Sequence, residues 1–415
     1  MSERKFFPWF VWGVAVSFLA FQFILRLLPG LIMPQIMVKF HVNALDYGLL
    51  SSMYYFGYAG AQIPVAFLLD RFGPKKVISG CVFLCSICTL VLAHTVSWPV
   101  MLMGRFLIGV GSAAGFLGTA KVVSQWFSAD RYARMLGFTF TFGLMGAVYG
   151  GKPVATWIAS SSWESVMNSL AGIGVLVALG SFVFLKNTGP FVTNQTLPTR
   201  ADFKALFTNK NIILLGICNL LMVGTLEGLA DVWGVPYLVK AHGIEKENAA
   251  FFTSLIFVGM LCGGPILAFL AEKSKRFFDL AALCGALSAL LVLVLLFAYR
   301  THSPLALFIL MFAIGILCCY QVLILTIGAQ FAPKSMLGIA TAFLNCVNMV
   351  GGSFFHGTIG LVLNFSVAPI LENGLRAYSA DQYRTALLVI PIASLLGSVG
   401  LLVAKRKMVS KEVAA

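Results

Sequence analysis

Six charged side chains lie inside long apolar runs of the sequence, where ionised groups are rare. A charge at bilayer depth is costly unless it faces water or an opposite charge, so each of the six is a candidate for binding a solute. Four of them are cations and two are carboxylates: Arg26, Arg105, Lys121, Lys152, Glu227 and Asp231. The excess of buried positive charge predicts a solute that carries negative charge, either an anion or a zwitterion.

The two carboxylates lie close together in the segment GTLEGLADVWG. Glu227 and Asp231 are four residues apart, so a helix places both on one face. Carboxylates that close oppose each other's ionisation, which predicts that one of them takes up a proton during function. In the alternative interpretation, Asp231 lies at the outer mouth of its span and is simply solvated.

Arg26, in FILRLLPG, precedes Glu227 by 201 residues, which nearly equals the spacing of an internal repeat described below. We therefore predict that the two residues occupy equivalent positions in two halves of the chain. A cation in one half and a carboxylate in the other favour a zwitterionic solute, or an ion pair between them when no solute is bound. Alternatively, Arg26 snorkels to the outer interface.

The other residues predicted to bind substrate are two lysines, two aromatic residues, an amide and an imidazole. Lysine stems can also snorkel, aromatic residues and amides can also pack helices together, and a single histidine is more often a packing residue than a ligand. The predicted set, in addition to Arg26, is Lys121, Lys152, Tyr58, Trp233, Gln321 and His356.

The composition shows which solvent surrounds this chain of 415 residues. It contains 59% hydrophobic and 11% charged residues, and its mean hydropathy is +0.92, whereas soluble domains have roughly 25% charged residues. A bilayer is therefore the main solvent. The formal charge of +14 comes from scattered residues, which argues against nucleic-acid binding. All nine cysteines lie in apolar runs and predict neither disulfides nor a metal site.

Twelve apolar runs have the length of membrane spans, so we predict an all-α polytopic membrane protein with two pseudo-symmetric six-helix bundles around a central cavity. A polar linker at 187–210 separates an N-terminal bundle at 1–186 from a C-terminal bundle at 211–415. The predicted spans are 9–33, 47–69, 77–95, 99–124, 133–157, 166–186, 211–239, 248–271, 280–298, 304–329, 336–364 and 384–404. AFLLDR at 66–71 repeats as AFLAEK at 268–273, an offset of 202 residues.

Basic residues predict the orientation of the chain, because short basic loops stay on the cytoplasmic side. Of the 29 Lys and Arg residues, 19 lie in one set of alternate loops and termini, 6 in the other set and four inside spans. Both termini are therefore expected in the cytoplasm, with the chain crossing a bacterial inner membrane many times.

Three motifs of the N-terminal half resemble those of the major facilitator superfamily. They are LLDRFGPKK at 68–76, GRFLIGVGSAAGFLGTAKVVSQWF at 104–127 and DRYARMLGF at 130–138. Within that superfamily, YYFGYAGAQIPVAFLLDRFGPKK at 54–76 is most similar to bacterial phagosomal-type nutrient carriers and organic-anion symporters.

The resemblance implies transport by alternating access. It also implies gating roles for Asp70, Arg71 and Gly73, where Gly73 permits a tight turn, and a structural and coupling role for Arg105. An ordinary basic loop is the alternative for 68–76. The chain departs from the family pattern at Ala66 and Pro74, and its second-half copy, FLAEKSKRF, has no glycine.

We therefore expect a monomeric secondary transporter, with no cofactor, for a carboxylate, an amino acid or a related metabolite, and with protons as the coupling ion. The alternatives are a drug or metabolite exporter of the same fold and a transporter-derived sensor. Neither a repeated selectivity filter nor an HExxH or Walker motif is present, which argues against a channel, a metalloprotease or an ATPase.

Overall fold

The computed structural model describes residues 3–187, 208–299, 303–331, 337–365, 370–372 and 375–412. The predicted linker at 187–210 falls mostly outside these residues. The first seven helices are α1 (Glu3–Phe40), α2 (Ala44–His94), α3 (Trp98–Ser112), α4 (Ala114–Trp126), α5 (Ala129–Gly150), α6 (Lys152–Ser160) and α7 (Trp163–Phe184).

The second half is also helical, with two π-helical segments and one short hairpin. Its elements are α8 (Lys210–Met222), the π-helical segment Thr225–Trp233, α9 (Gly234–His242), α10 (Lys246–Ser274), α11 (Phe277–Leu293), the π-helical turn Val294–Ala298, α12 (Pro304–Cys318), α13 (Tyr320–Gln330), α14 (Leu337–Phe365), β1 (Ile370–Glu372), β2 (Leu375–Ala377), α15 (Ala380–Leu387) and α16 (Val389–Glu412). The antiparallel hairpin places Leu371 opposite Arg376, and the sequence does not predict it.

The all-α membrane fold predicted from the sequence is confirmed. Ten helical stretches of the described chain, some of them made of two or three consecutive elements, are long and apolar enough to cross a bilayer. One of them, α2, has 51 residues and contains the second and third predicted spans. Gly73, with φ 77° and ψ 164°, interrupts the helix between these two spans. The fifth predicted span coincides with α5 and α6, which Gly151 separates.

The chain divides into two compact units. The first contains Met1–Val42 and Met53–Gln195, and the second contains Asn43–Ser52 and Thr196–Ala415. The first turns of α2 therefore belong to the second unit, where the Ser52 hydroxyl donates to the Ser353 carbonyl at 3.0 Å. The Ser353 hydroxyl donates in return to the Ser52 carbonyl at 3.1 Å.

The internal repeat is visible in how closely the helices pack. In the first unit, a Cβ on Gly57 would overlap the Phe106 carbonyl, so α2 and α3 can touch only because this residue is glycine. In the second unit, Gly259 stands in the same relation to the Phe312 carbonyl. Close glycine contacts of this kind hold membrane helices together where lipid offers no hydrophobic driving force.

Candidate functional site

Arg105 of α3 fastens α1 at a point where its helical hydrogen bonding fails. Pro29 lies inside α1 and has no N–H, so the Leu25 carbonyl four residues earlier lacks its helical donor. The Arg105 guanidinium supplies one: its Nη1 donates to Leu25 O at 2.7 Å and its Nη2 to Arg26 O at 2.9 Å. Arg105 is buried, and its Cζ lies 4.7 Å from the ring centroid of Tyr54. The backbone that carries Arg26 is thereby fixed.

Arg26 is 7% exposed and lies against two aromatic rings in the first unit. Its Cζ is 5.5 Å from the ring centroid of Phe23 and 5.4 Å from that of Tyr55. Cation–π contacts stabilise a buried guanidinium, and a guanidinium is able to bind a carboxylate with two parallel hydrogen bonds. The arrangement is suited to recognising a planar anion.

Three tyrosines of α2 form an aromatic surface beside the two arginines. The Tyr54 hydroxyl donates to Gln22 Oε1 at 2.6 Å. The Tyr54 ring centroid lies 5.4 Å from that of Tyr55 and 6.0 Å from that of Tyr58. Tyr58, predicted as a substrate residue, is half-buried at the end of this row.

The predicted gate residues lie at the interruption of α2. Two residues that the sequence analysis did not assign to the gate, Lys121 and Asn187, contact this region. Lys121 Nζ lies 2.6 Å from Asp70 Oδ1. Asn187 spans the Gly73 turn: its Nδ2 donates to Phe72 O at 3.3 Å and its Oδ1 accepts from the Lys75 N–H at 3.2 Å. The ion pair gives the charge of Lys121 a partner within this unit, and substrate binding by Lys121 remains a prediction.

The other two predicted cations of this unit have different surroundings. Arg71 belongs to the gate motif, and its Cζ lies 5.3 Å from the Phe72 ring centroid. Lys152 is exposed and begins α6, directly after the chain turns at Gly151 (φ −81°, ψ −114°). The positive end of the helix dipole lies at the N-terminus, so a cation such as Lys152 does not stabilise α6 at this position.

Both predicted proton-coupling residues lie in the π-helical segment Thr225–Trp233 of the second unit. Glu227 is 1% exposed and Asp231 3% exposed, so Asp231 is not solvated at an outer mouth. The Gly234 N–H donates to Leu229 O, five residues earlier, and a Cβ on Gly234 would overlap that carbonyl. The sequence predicted a regular α-helix here; π-helical segments are rare and frequently occur at functional sites.

The π-helical segment Thr225–Trp233 also carries a predicted substrate residue. Trp233, at the end of the same segment, is fully buried. His356 of α14 is also fully buried, and a Cβ on Gly48 would overlap its carbonyl. The roles predicted for Trp233 and His356 remain predictions.

Gln321 belongs to a polar cluster that sequence analysis recognised only in part. Asn348 Nδ2 of α14 donates to Gln321 Oε1 of α13 at 3.3 Å. The neighbouring Tyr320 hydroxyl donates to the Asn219 carbonyl of α8 at 3.5 Å. The cluster therefore joins three helices of the second unit. Asparagines inside apolar runs were the available signal for it.

The repeated helical halves and the buried charges together define a polytopic membrane transporter. The model of the Major Facilitator Superfamily matches residues 10–356, so the chain belongs to that superfamily. Because this superfamily consists of transporters, the same match identifies the chain as a transporter and not an enzyme.

Among curated relatives, a probable L-galactonate transporter of Escherichia coli K12 is 21% identical over 86% of this chain and 80% of its own length. The probable galactarate/D-glucarate transporter GudP of Bacillus subtilis is 24% identical over 56% of this chain, which spans 59% of GudP. A bacterial homologue of the human lysosomal transporter Spinster, solved inward-facing and occupied, superposes with a TM-score of 0.73 at 17% identity over 97% of both chains. That similarity concerns the fold.

Proposed function

We propose that this protein is a proton-coupled symporter for a small carboxylate anion, of the sugar-acid type, in a bacterial inner membrane. The observation that carries the proposal is buried Arg26, whose guanidinium lies against the Phe23 and Tyr55 rings. Two relatives named as probable transporters of L-galactonate and of galactarate or D-glucarate support the choice of substrate class.

Arg26 is the residue to which we assign the substrate carboxylate. A planar guanidinium matches a carboxylate with two parallel hydrogen bonds, and in a buried position such charge-assisted bonds are strong. Arg105 is a positioning residue, since it holds the Arg26 backbone through the Arg26 carbonyl. The other substrate residues proposed for this unit are Tyr58, Lys121 and Lys152, and those proposed for the second unit are Trp233, Gln321 and His356.

Proton coupling is assigned to Glu227 and Asp231. Both are carboxylates buried in a π-helical segment, where protonation removes a charge that is costly to hold in a low-dielectric environment. In the proposed cycle, protonation and substrate binding together neutralise the buried charges and permit the change of access. The gate motif, with Asp70 paired to Lys121, Arg71 beside it and Gly73 at the turn, then rearranges. The protein acts as a monomer with both termini in the cytoplasm.

The direct test is uptake of labelled L-galactonate and galactarate into proteoliposomes of the purified protein, with and without an inward proton gradient. Leucine and uridine serve as comparison solutes. We expect accumulation of a sugar acid only when the gradient is present, and its loss in Arg26→Gln with partial retention in Arg26→Lys. Uptake that ignores the gradient contradicts symport. Absence of uptake for every acid favours export or sensing instead.

A further inference from the structure

We propose that Gln321 and Asn348 form a subsite that recognises hydroxyl groups of the substrate and so separates polyhydroxylated acids from plain ones. The proposal rests on the proposed function for its biological meaning. Its geometry, however, belongs to the second unit alone, where α13 and α14 meet.

The two amides are hydrogen-bonded to each other through only one of their two possible bonds. Asn348 Nδ2 donates to Gln321 Oε1, but within the described part of the chain Gln321 Nε2 and Asn348 Oδ1 have no hydrogen-bond partner, although both atoms are buried. Asn348 itself is 3% exposed. A buried amide group without a partner costs about 1–3 kcal/mol, so an arrangement that leaves two of them indicates that something else satisfies both.

A hydroxyl group is the complement of this pair. The unsatisfied atoms are one N–H donor and one carbonyl acceptor, and a hydroxyl can accept from the first and donate to the second. A carboxylate only accepts and an ammonium only donates, so neither satisfies both atoms. If both amides are turned over, their mutual bond persists and again one donor and one acceptor remain, so the match does not depend on amide orientation.

The backbone of the helix that carries Gln321 is irregular close to this residue. The helix tightens at the junction of α12 and α13, where the Cys319 N–H donates to Ile316 O and the Val322 N–H to Cys319 O, each three residues earlier. A polyol chain presents several hydroxyls in succession, which suits a pair of amides on two different helices.

The test compares two acids of equal chain length and charge, galactarate and adipate, which differ only in their hydroxyls. Binding to the purified full-length protein is measured by competition and by ligand-induced thermal stabilisation. The variants Asn348→Leu and Gln321→Met keep side-chain size and remove the amide. We expect each to weaken galactarate binding about tenfold, the effect of one or two hydrogen bonds, and adipate binding less than twofold.

Thr326→Val is the matched control, because this exposed hydroxyl of α13 donates only within its own helix, to Val322 O at 2.8 Å. It should leave both affinities unchanged. The two amide variants lie on different helices, so if one of them does not fold, the other decides. Equal loss for galactarate and adipate, or no loss for either, overturns the subsite and assigns the amides to packing or to a bound water.

A neutral hexitol, galactitol, separates the subsite from the proposed function, because it has the hydroxyls without the carboxylates. Stabilisation by galactitol that survives Arg26→Gln and is lost in Asn348→Leu supports the subsite even if no acid is transported. Acid uptake driven by the gradient, with unaltered galactarate selectivity in both amide variants, leaves the proposed function standing and removes the subsite.

Discussion

Lys275 has a positive φ, as Gly73 does 202 residues earlier in the chain: φ is 57° at Lys275 and 77° at Gly73, whereas ψ is 18° at Lys275 and 164° at Gly73. The other two residues with positive φ among those described, His41 (52°) and Gly243 (64°), are also 202 residues apart. The offset of 202 residues between AFLLDR and AFLAEK therefore also relates the positions at which the backbone has a positive φ. The second-half motif has lost its glycine but kept a positive φ at the equivalent position, with a different ψ.

A left-handed backbone is costly for any residue with a Cβ, by about 1 kcal/mol. We expect Lys275→Gly to raise the free energy of unfolding by about that amount, read as a higher thermal midpoint in detergent. Lys273→Gly is the control: Lys273 lies in the last turn of α10, where glycine destabilises a helix by about 1 kcal/mol. Two shifts of the same sign would contradict the explanation.

The ion pair between Lys121 and Asp70 should matter more for transport than for stability. The two side chains are 26% and 53% exposed, and exposed pairs contribute at most about 1 kcal/mol. We expect Asp70→Asn and Lys121→Met to slow uptake while changing the thermal midpoint little. The exchanged pair Asp70→Lys with Lys121→Asp should recover part of the rate. If the exchanged pair is slower than both single variants, the contact itself is not what matters.

Arg105 should resist even conservative substitution. Lysine keeps the charge but cannot reach two carbonyls with a planar fork or lie flat on the Tyr54 ring. Arg105→Lys should cost about 1–3 kcal/mol of stability, because the Leu25 carbonyl loses its substitute donor beside Pro29. The thermal midpoint and the affinity for galactarate measure the effect. Combined with Pro29→Ala, which restores the helical donor, the loss of stability should shrink; an unchanged loss argues against this account.

Glu227→Gln should separate exchange from accumulation. The amide keeps the size of the side chain but cannot carry a proton between the two faces of the membrane. We expect counterflow of labelled substrate to continue while uptake driven by an inward proton gradient is lost. Asp231→Asn is the companion variant, and comparing the two identifies which carboxylate titrates. Gradient-driven uptake that persists in Glu227→Gln removes Glu227 from the coupling role.

Hydropathy was sufficient to predict the membrane fold and the positions of the helical segments, because each span must satisfy its backbone internally and present an apolar surface to lipid. The resemblance to the superfamily came instead from three motifs, at 68–76, 104–127 and 130–138. The same logic singled out Arg26, Glu227 and Asp231, since an ionised residue inside an apolar run is visible without any contact being known.

The partners of those residues were decided by tertiary structure. Three contacts could not be predicted from the sequence, because each joins residues on different helices. They are the ion pair of Lys121 with Asp70, the hydrogen bond of Arg105 to the Leu25 carbonyl beside Pro29, and the hydrogen bond between Asn348 and Gln321. The π-helical backbone of Thr225–Trp233, which carries Glu227, also could not be predicted from the sequence of that segment alone. An extra residue in a helical turn is tolerated only where the packing of neighbouring helices compensates for it, and that packing exists only once the chain has folded.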